Sequence, residues 1–345
     1  MAQTKTTLRD VAERSGFSTT TVSHVLNDAP GKRIPDATRI RVQEAAAELS
    51  YRPNRVAQGL RLQRSNLLGF ISDHVATSPH AGQVILGAQD AASEHGRMLM
   101  LMSSGDDAEL EELEIRALLD RQVDGIIYAT EYHRVLTPPA ALAGAPTVLL
   151  DARSDGPAMT SVVPDEVGGA LTAVLELTGH GHRRIGFLNN VDDIPATVLR
   201  LQGFQSGLRA ARCRYSPGRV VSEESEARGG YRAALRLLSQ PDRSRPTGLF
   251  CFNDRMAMGA YQAAADLGLS IPQDLSIIGF DNQELIADGL RPGLTTVALP
   301  HFAMGRWAVN ALLAMINNPD GQPAQETTLS CPLVRRASVG PPPRS

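Results

Sequence analysis

A chain of 345 residues and 37.0 kDa exceeds one ordinary domain, so two or three domains are expected and a mini-protein is excluded. Its 42% hydrophobic and 21% charged content is that of a folding globular chain. The net charge of −3 is uneven: residues 1–65 hold 11 Lys+Arg and 6 Asp+Glu, or +5, leaving 23 against 31, or −8, for residues 66–345. A basic head on an acidic body fits a polyanion partner for the head, although a solvated basic face gives the same count.

The head begins helical. Leu8, Val11 and Ala12 recur at i, i+3 and i+4, with Thr7 and Asp10 spaced for a capping box. Gly16 suits a tight turn, and Ser18 can cap a second helix carrying Thr21, Val22, Val25 and Leu26. Two short helices joined by about three residues with a Gly form a helix-turn-helix, whose second helix enters the major groove. The residues expected there are Ser18, Thr19, Thr20, Thr21, Ser23, His24 and Asn27, with Thr7 at the start of the first helix. Hydroxyl side chains are poor helix formers, so their run fits contact better than propensity, or else a solvated loop. A third helix is predicted from Pro35–Asp36 to Tyr51, with Ile40, Val42, Ala45, Ala46 and Leu49 on its apolar side.

The segments TLRDVAERSGFSTTTVSHVLND and ATRIRVQEAAAELSYRPNRVAQGLR resemble the DNA-binding head of the lactose-repressor and galactose-repressor (LacI/GalR) family, joining a helix-turn-helix to a YxPNxxAxxL element. The resemblance implies a hinge helix over Pro53–Leu62 that inserts Leu60 into the minor groove, as a wedge that unstacks a base step and bends the duplex. Asn54, Arg55 and Gln58 can then contact groove and backbone, Ala57 is small enough for a close pair of hinges, and Tyr51 precedes them. Where the family usually carries arginine in the recognition helix this chain has His24, a weaker guanine reader.

The body alternates apolar runs with helical stretches: LLGFI, a helix near 81–95, MLMLM, a helix near 108–121, DGIIYA, TVLLD, then RRIGFLN, TGLFCF and LSIIGFD with helices between. Short apolar strands between helices read as buried parallel strands. Ligands of such sheets sit beyond the carboxyl ends of the strands, where Ser72, Asp73, Asp151, Asn189, Asn253, Asp254 and Asp281 fall. The motifs ILGAQDAA, GHGHRRIGFL, RLQGFQSGL, FNDRMAMGA and IIGFDN extend the family resemblance over this region, which looks like a type I periplasmic-binding-protein core of two lobes, three crossovers and an effector in the cleft. The resemblance implies effector contacts from Arg200, Asn253 and Asp281 in the second lobe and Ser72, His80 and Asp151 in the first. Asp281 also fits as a plain strand end, and Asn253 as a helix cap. Ser225 stands where the family often has an aromatic ring, which disfavours a purine-like effector and leaves a small polar molecule, a sugar or related metabolite.

The expected architecture is therefore multidomain. An all-α helix-turn-helix DNA-binding head (1–52) and a hinge (53–64) precede an α/β two-lobed periplasmic-binding-protein-like core (65–340), with a disordered tail (341–345). Lobe 1 is expected over about 65–163 and 297–324, lobe 2 over 164–296 and 325–340. No GxGxxG after a strand, GxxxxGK[ST], GxSxG or HExxH is present, so no enzyme and no cofactor are expected. His180 and His182 lack a third ligand, and Cys213, Cys251 and Cys331 lack CxxC spacing, so no metal is expected. Without an export signal or a spanning stretch, a cytoplasmic protein with no membrane partner follows. The resemblance implies a homodimeric repressor on a near-palindromic double-stranded operator, controlled by a small-molecule effector. A transport-type solute-binding protein, which shares the body, would need an export signal and no such head.

Overall fold

Thr7 sets where the head begins to coil. In the computed structural model, which describes residues 6–26, 33–51, 65–74, 78, 81–318 and 323–343, Thr7 Oγ1 accepts the Asp10 N–H at 3.4 Å while the Asp10 carboxylate accepts the Thr7 N–H at 2.7 Å. This reciprocal capping box opens α1 (Leu8–Ser15). Gly16 takes a left-handed φ of 76° and its N–H closes on Ala12 O at 3.0 Å. Ser18 Oγ accepts the Thr21 N–H at 3.1 Å and starts α2 (Thr19–Leu26). The third helix, α3 (Asp36–Glu48), stops short of Tyr51: Ser50 has a φ of 48°, and the Tyr51 N–H turns back to Ala46 O at 2.8 Å. Val11, Ala12, Val22, Val25, Val42, Ala45 and Ala46 form a core belonging to the head alone. Ile40, expected inside, is 54% exposed because it falls off the stripe made by Val42, Ala45, Ala46 and Leu49 at a 3.6-residue period.

The second compact unit, 66–345, follows the predicted alternation. Its elements run β1 (Leu67–Ser72), α4 (Ala81–Glu94), β2 (Met98–Ser103), α5 (Ala108–Asp120), β3 (Gly125–Leu136), β4 (Thr147–Ser154) and β5 (Ser161–Pro164). They continue α6 (Glu166–Gly179), β6 (Ile185–Asn190), α7 (Pro195–Ala210), β7 (Val220–Glu223), α8 (Ala227–Leu238), β8 (Gly248–Cys251), α9 (Asp254–Asp266), β9 (Ser276–Asp281), α10 (Glu284–Ala287) and β10 (Thr295–Ala298). Last come α11 (His301–Asn317), β11 (Glu326–Leu329) and β12 (Leu333–Val334). Two six-stranded sheets result, ordered β11-β5-β4-β3-β1-β2 and β12-β10-β9-β8-β6-β7. Every pairing is parallel except β12 on β10.

The chain crosses between the sheets three times, and two crossings lie later than expected. Thr295–Ala298 is still in the second sheet, beside β9, and Glu326–Leu329 pairs with β5 in the first. The expected lobe boundaries at 297 and 325 therefore shift to the stretches after Ala298 and Leu329. The strand ETTL gave no apolar run by which to place it. Strand β2, expected to be buried, is the outer strand of its sheet, with Met98 58% exposed. Strand β3 runs well past the apolar DGIIYA: after a register shift between Ala129 and Arg134 it continues beside Ala152–Ser154 of β4.

Helices cover the sheets in close pairs. At the crossing of α4 and α11, a Cβ on Gly305 would lie 2.1 Å from Val84 O and one on Gly87 2.1 Å from Phe302 O, so the two backbones touch. Inside the second lobe Phe187 stacks on Phe250 and Phe204, with ring centroids 4.7 and 5.2 Å apart. The chain end is tied to this lobe. Fully buried His182 pairs through Nδ1 with Thr247 Oγ1 (2.9 Å) and through Nε2 with Ser276 Oγ (3.0 Å) and Gly340 O (2.9 Å). The tail expected to be disordered from 341 instead remains described to 343, with Pro342 beside Gly181. Among the described residues no helix is long and apolar enough to cross a membrane.

Gly305→Ala should push α11 off α4. We expect a loss of about 1–3 kcal/mol, read by urea denaturation through the fluorescence of Trp307, the single tryptophan, which lies on the same helix.

Candidate functional site

In the head, Ser18, Thr19 and Thr20 are exposed, and Thr21 and His24 half-buried, so the start of α2 offers hydroxyls outward. Ser23 does not belong with them: it is 8% exposed and turned toward the packed side with Val22 and Val25. Thr7 is exposed, with its hydroxyl held by Asp10 at 2.8 Å. Tyr51 packs against the head core, where burial raises its phenol pKa. Asn27, Asn54, Arg55, Ala57, Gln58, Leu60 and His80 lie outside the described residues.

In the core, the strand ends do converge. Asp151, ending the apolar run of β4, has a φ of 58°, and Asp281, ending β9, has 98°, followed by Asn282 at 55°. Left-handed backbone at non-glycine residues costs energy and clusters at working sites. Buried Asp254 holds the second of these bends, accepting the Gln283 N–H at 2.7 Å and the Thr296 hydroxyl at 2.6 Å. Asn253 is the N-cap of α9: its Oδ1 accepts the Met256 N–H at 2.8 Å and its Nδ2 donates to Ser225 O at 2.9 Å. Its cap reading is thus fulfilled. Asp73 is a latch: Oδ1 accepts the N–H groups of His74 (2.7 Å) and Glu131 (2.9 Å), and Oδ2 lies 3.1 Å from Arg134 Nη2.

Arg200 sits at the centre with its donors already engaged. Nε donates to Glu166 Oε2 at 2.6 Å, Nη2 to Glu166 Oε1 at 3.3 Å, and Nη1 to Phe252 O and to Asp281 Oδ1 at 3.5 Å. The guanidinium also lies 3.8 Å from the Phe280 ring centroid and 4.4 Å from that of Phe252. Burial opposes its charge, but Glu166 and Asp281 outweigh it and keep Arg200 protonated. Burial, reinforced by the charge of Glu166, holds Asp151 well above the usual carboxylate range.

Sequence reasoning missed Glu166, the first residue of α6, and His133, hidden in the polar extension of β3. His133 is 5% exposed, and neither ring nitrogen has a hydrogen-bond partner. Burial, then the charges of Arg153 and Arg200, push its pKa down to about 4. A cavity of about 860 Å³ opens nearby, lined from α4 and α11 by Gln83 and Phe302 and from the other lobe by Arg255, Asp281 and Gln283. Of the expected effector residues that are described, Asp281 lines it, whereas Ser72, Asp151, Arg200 and Asn253 are buried and do not line it.

Residues 7–54 match the lacI family of bacterial regulatory proteins, and residues 174–339 match a periplasmic binding protein-like domain. The chain is 32% identical over 314 residues to the ribose operon repressor of Haemophilus influenzae, covering 91% of this chain and 93% of that one. It belongs to the lacI family. Among solved structures, the lac repressor dimer bound to operator and the anti-inducer ONPF matches 98% of this chain and all of its own, with a TM-score of 0.78 and 27% identity. A transcriptional regulator CelR–cellobiose complex covers 97% of this chain and 100% of its own, with a TM-score of 0.66 and 28% identity. The resemblance read from the motifs thus holds for the head and for the two-sheet core of this lacI-family chain.

His133 supplies a pH signature. Its folded pKa of about 4 lies below the unfolded value of 6.5, so between these the unfolded chain binds more protons and stability falls as pH falls. Wild type should lose on the order of 3 kcal/mol more than His133→Phe between pH 6.5 and 4, measured by denaturation at each pH.

Proposed function

We propose that this chain is a sequence-specific transcriptional repressor, acting in the cytoplasm as a homodimer on a near-palindromic operator, and that a small polar effector between the lobes controls it. The observation that carries this is the joining, in one chain, of a lacI-family head whose second helix turns hydroxyls outward to a two-lobed core whose buried polar strand ends converge. Full-length relatives named as repressors support it. It is a binding protein, not an enzyme.

In this reading Ser18, Thr19, Thr20, Thr21 and His24 face the major groove, with Asn27 and Thr7 at its edges. The hinge over 53–64 brings Leu60 to the minor groove, flanked by Asn54, Arg55, Ala57 and Gln58. Ser23 supports the helix from behind. Two heads on a two-fold dimer match two half-sites. The cellobiose held by CelR favours a sugar or related metabolite as effector. The first lobe supplies Ser72, Asp151 and His80, and the second Asp281, with Asn253 and Arg200 shaping the site. Effector and operator are coupled by about 1–3 kcal/mol, reciprocally.

Selection from random duplexes at fixed salt tests this directly. Full-length protein should recover a palindrome, and Leu60→Ala should lose it. His24→Ala should relax base preference at one position per half-site. Arg55→Ala should weaken all sequences alike and lower the salt slope by about one. No enriched sequence from the wild-type chain would refute the proposal.

A further inference from the structure

The net acidity of the body hides one basic end. Segments 180–184, 209–219 and 241–246 hold eight arginines and one acid, Asp242, or +7, which leaves 15 Lys+Arg against 30 Asp+Glu, or −15, for the rest of residues 66–345. Each of these segments leads into a strand of one sheet. Arg183 and Arg184 stand before β6, Arg219 before β7, and Arg243 and Arg245 before β8. The three strands are parallel neighbours in the order β8-β6-β7, with Ile185 beside Gly248 and Phe187 beside Val220. Their amino ends therefore lie together, at the other end of β6 from Asn189. Side chains join the segments: Arg183 Nη1 lies 3.8 Å from Cys213 Sγ, and Arg184 Nε donates to Arg245 O at 3.0 Å. Arg209, Arg212 and Arg214 add their charges at and just after the end of α7.

These guanidiniums lack the carboxylates that arginines have elsewhere in the core. There Arg97 is paired with Asp124, Arg306 with Asp90 and Glu94, and Arg335 with Glu176. At the basic end, among the described residues, Arg245 alone has an ion pair, with Asp242 at 3.0 Å. Burial, then the charge of Arg184, press the pKa of Arg219 below its ordinary value. Arg183, Arg209, Arg212, Arg214 and Arg243 are exposed. Like charges gathered at one end of a fold repel one another, and a bound polyanion turns that repulsion into attraction.

The surface also selects among polyanions. Exposed charges spread over three strand ends, about 10 Å across at the usual strand spacing, suit an extended row of anions better than a single small ion. A protein partner would need an apolar or aromatic anchor at the centre of its interface. None of the large apolar side chains exposed among the described residues falls in these segments. Interfaces with nucleic acid are polar and positively charged instead, and a duplex presents one phosphate per about 1.7 Å of its axis. The arginine fork takes phosphate oxygens two at a time.

We propose that this end of the second lobe is a second DNA-contacting surface, which holds the phosphate backbone of a duplex without reading its sequence. It adds to the repressor reading a contact made by the core and separate from the head, through which one homodimer joins a further stretch of DNA to its operator.

The test uses full-length protein and a fluorescent duplex of unrelated sequence, about 20 base pairs long, in sedimentation at saturation over a series of salt concentrations. Arg209→Gln/Arg212→Gln/Arg214→Gln removes three exposed charges, and Arg116→Gln/Arg121→Gln/Arg335→Gln makes the same change of net charge elsewhere on the core. Wild type and the second variant should carry at least one more duplex per homodimer than the first. That extra binding should fall with salt with a slope of about 2–3, one ion released per phosphate contact. Arg209→Lys/Arg212→Lys/Arg214→Lys, which keeps the charge, should restore most of it. With operator duplex on beads, wild type should capture the unrelated duplex at least fivefold better than the first variant. Equal loading of all the proteins overturns the proposal. So does displacement of the extra duplex by poly-L-glutamate at equal charge concentration, which assigns the surface to an acidic protein. Failure to select any operator removes the repressor reading, while the loading comparison still decides this proposal.

Discussion

The buried pair of Arg200 and Glu166 is the constraint around which the second lobe closes. Glu166 is the first residue of α6, directly after the chain enters this lobe, and Arg200 lies in α7. The same guanidinium reaches Phe252 O beyond β8 and Asp281 at the end of β9. Four segments distant in sequence thus meet on one planar cation. Taking such a pair out of water offsets most of its attraction, so its value lies in geometry more than in stability, while losing one partner alone costs about 3–5 kcal/mol. Asp254 completes the arrangement by holding the backbone bend after Asp281. A strained bend survives only where its surroundings over-determine it, and here they do.

The head was legible almost residue by residue, because its signals are local. Thr7, Asp10, Gly16 and Ser18 fix helix ends through contacts at most four residues away, and each appears where its chemistry places it. The orientation of Ser23 was not legible: among Thr and Ser residues in a row, packing alone decides which one turns inward. In the core the apolar strands announced themselves, whereas β11 and the extension of β3 are written in polar residues and exist by pairing with strands far along the chain. Local pattern carries no record of such partners. Outer position likewise cannot be read from MLMLM, since whether a strand has neighbours on both sides is a property of the whole sheet.

The site was half legible for the same reason. Strand alternation put Asn189 and Asp281 at carboxyl ends, and there they stand, whereas Asp151 ends only the apolar run of β4, which continues to Ser154. What the sequence could not supply was partnership. Arg200 looks like an open fork until Glu166 is seen on it, Asn253 looks like a ligand until its oxygen is found on the Met256 N–H, and His133 looks like surface until the register shift in β3 carries it inward.

The three crossings have a consequence for synthesis. Strands β11 and β12 are the outermost members of the two sheets, yet they are the last two strands in the chain. While the ribosome still holds the final residues, β5 and β10 each present an unpaired edge, the kind of surface on which chains associate wrongly. A premature stop ahead of Glu326 would leave both edges open permanently and release Ser276 and His182 from Gly340. The few residues after α11 thus serve as the closing selvedge for both lobes at once, and nonsense changes there should act through aggregation and turnover rather than through lost contacts at either binding site.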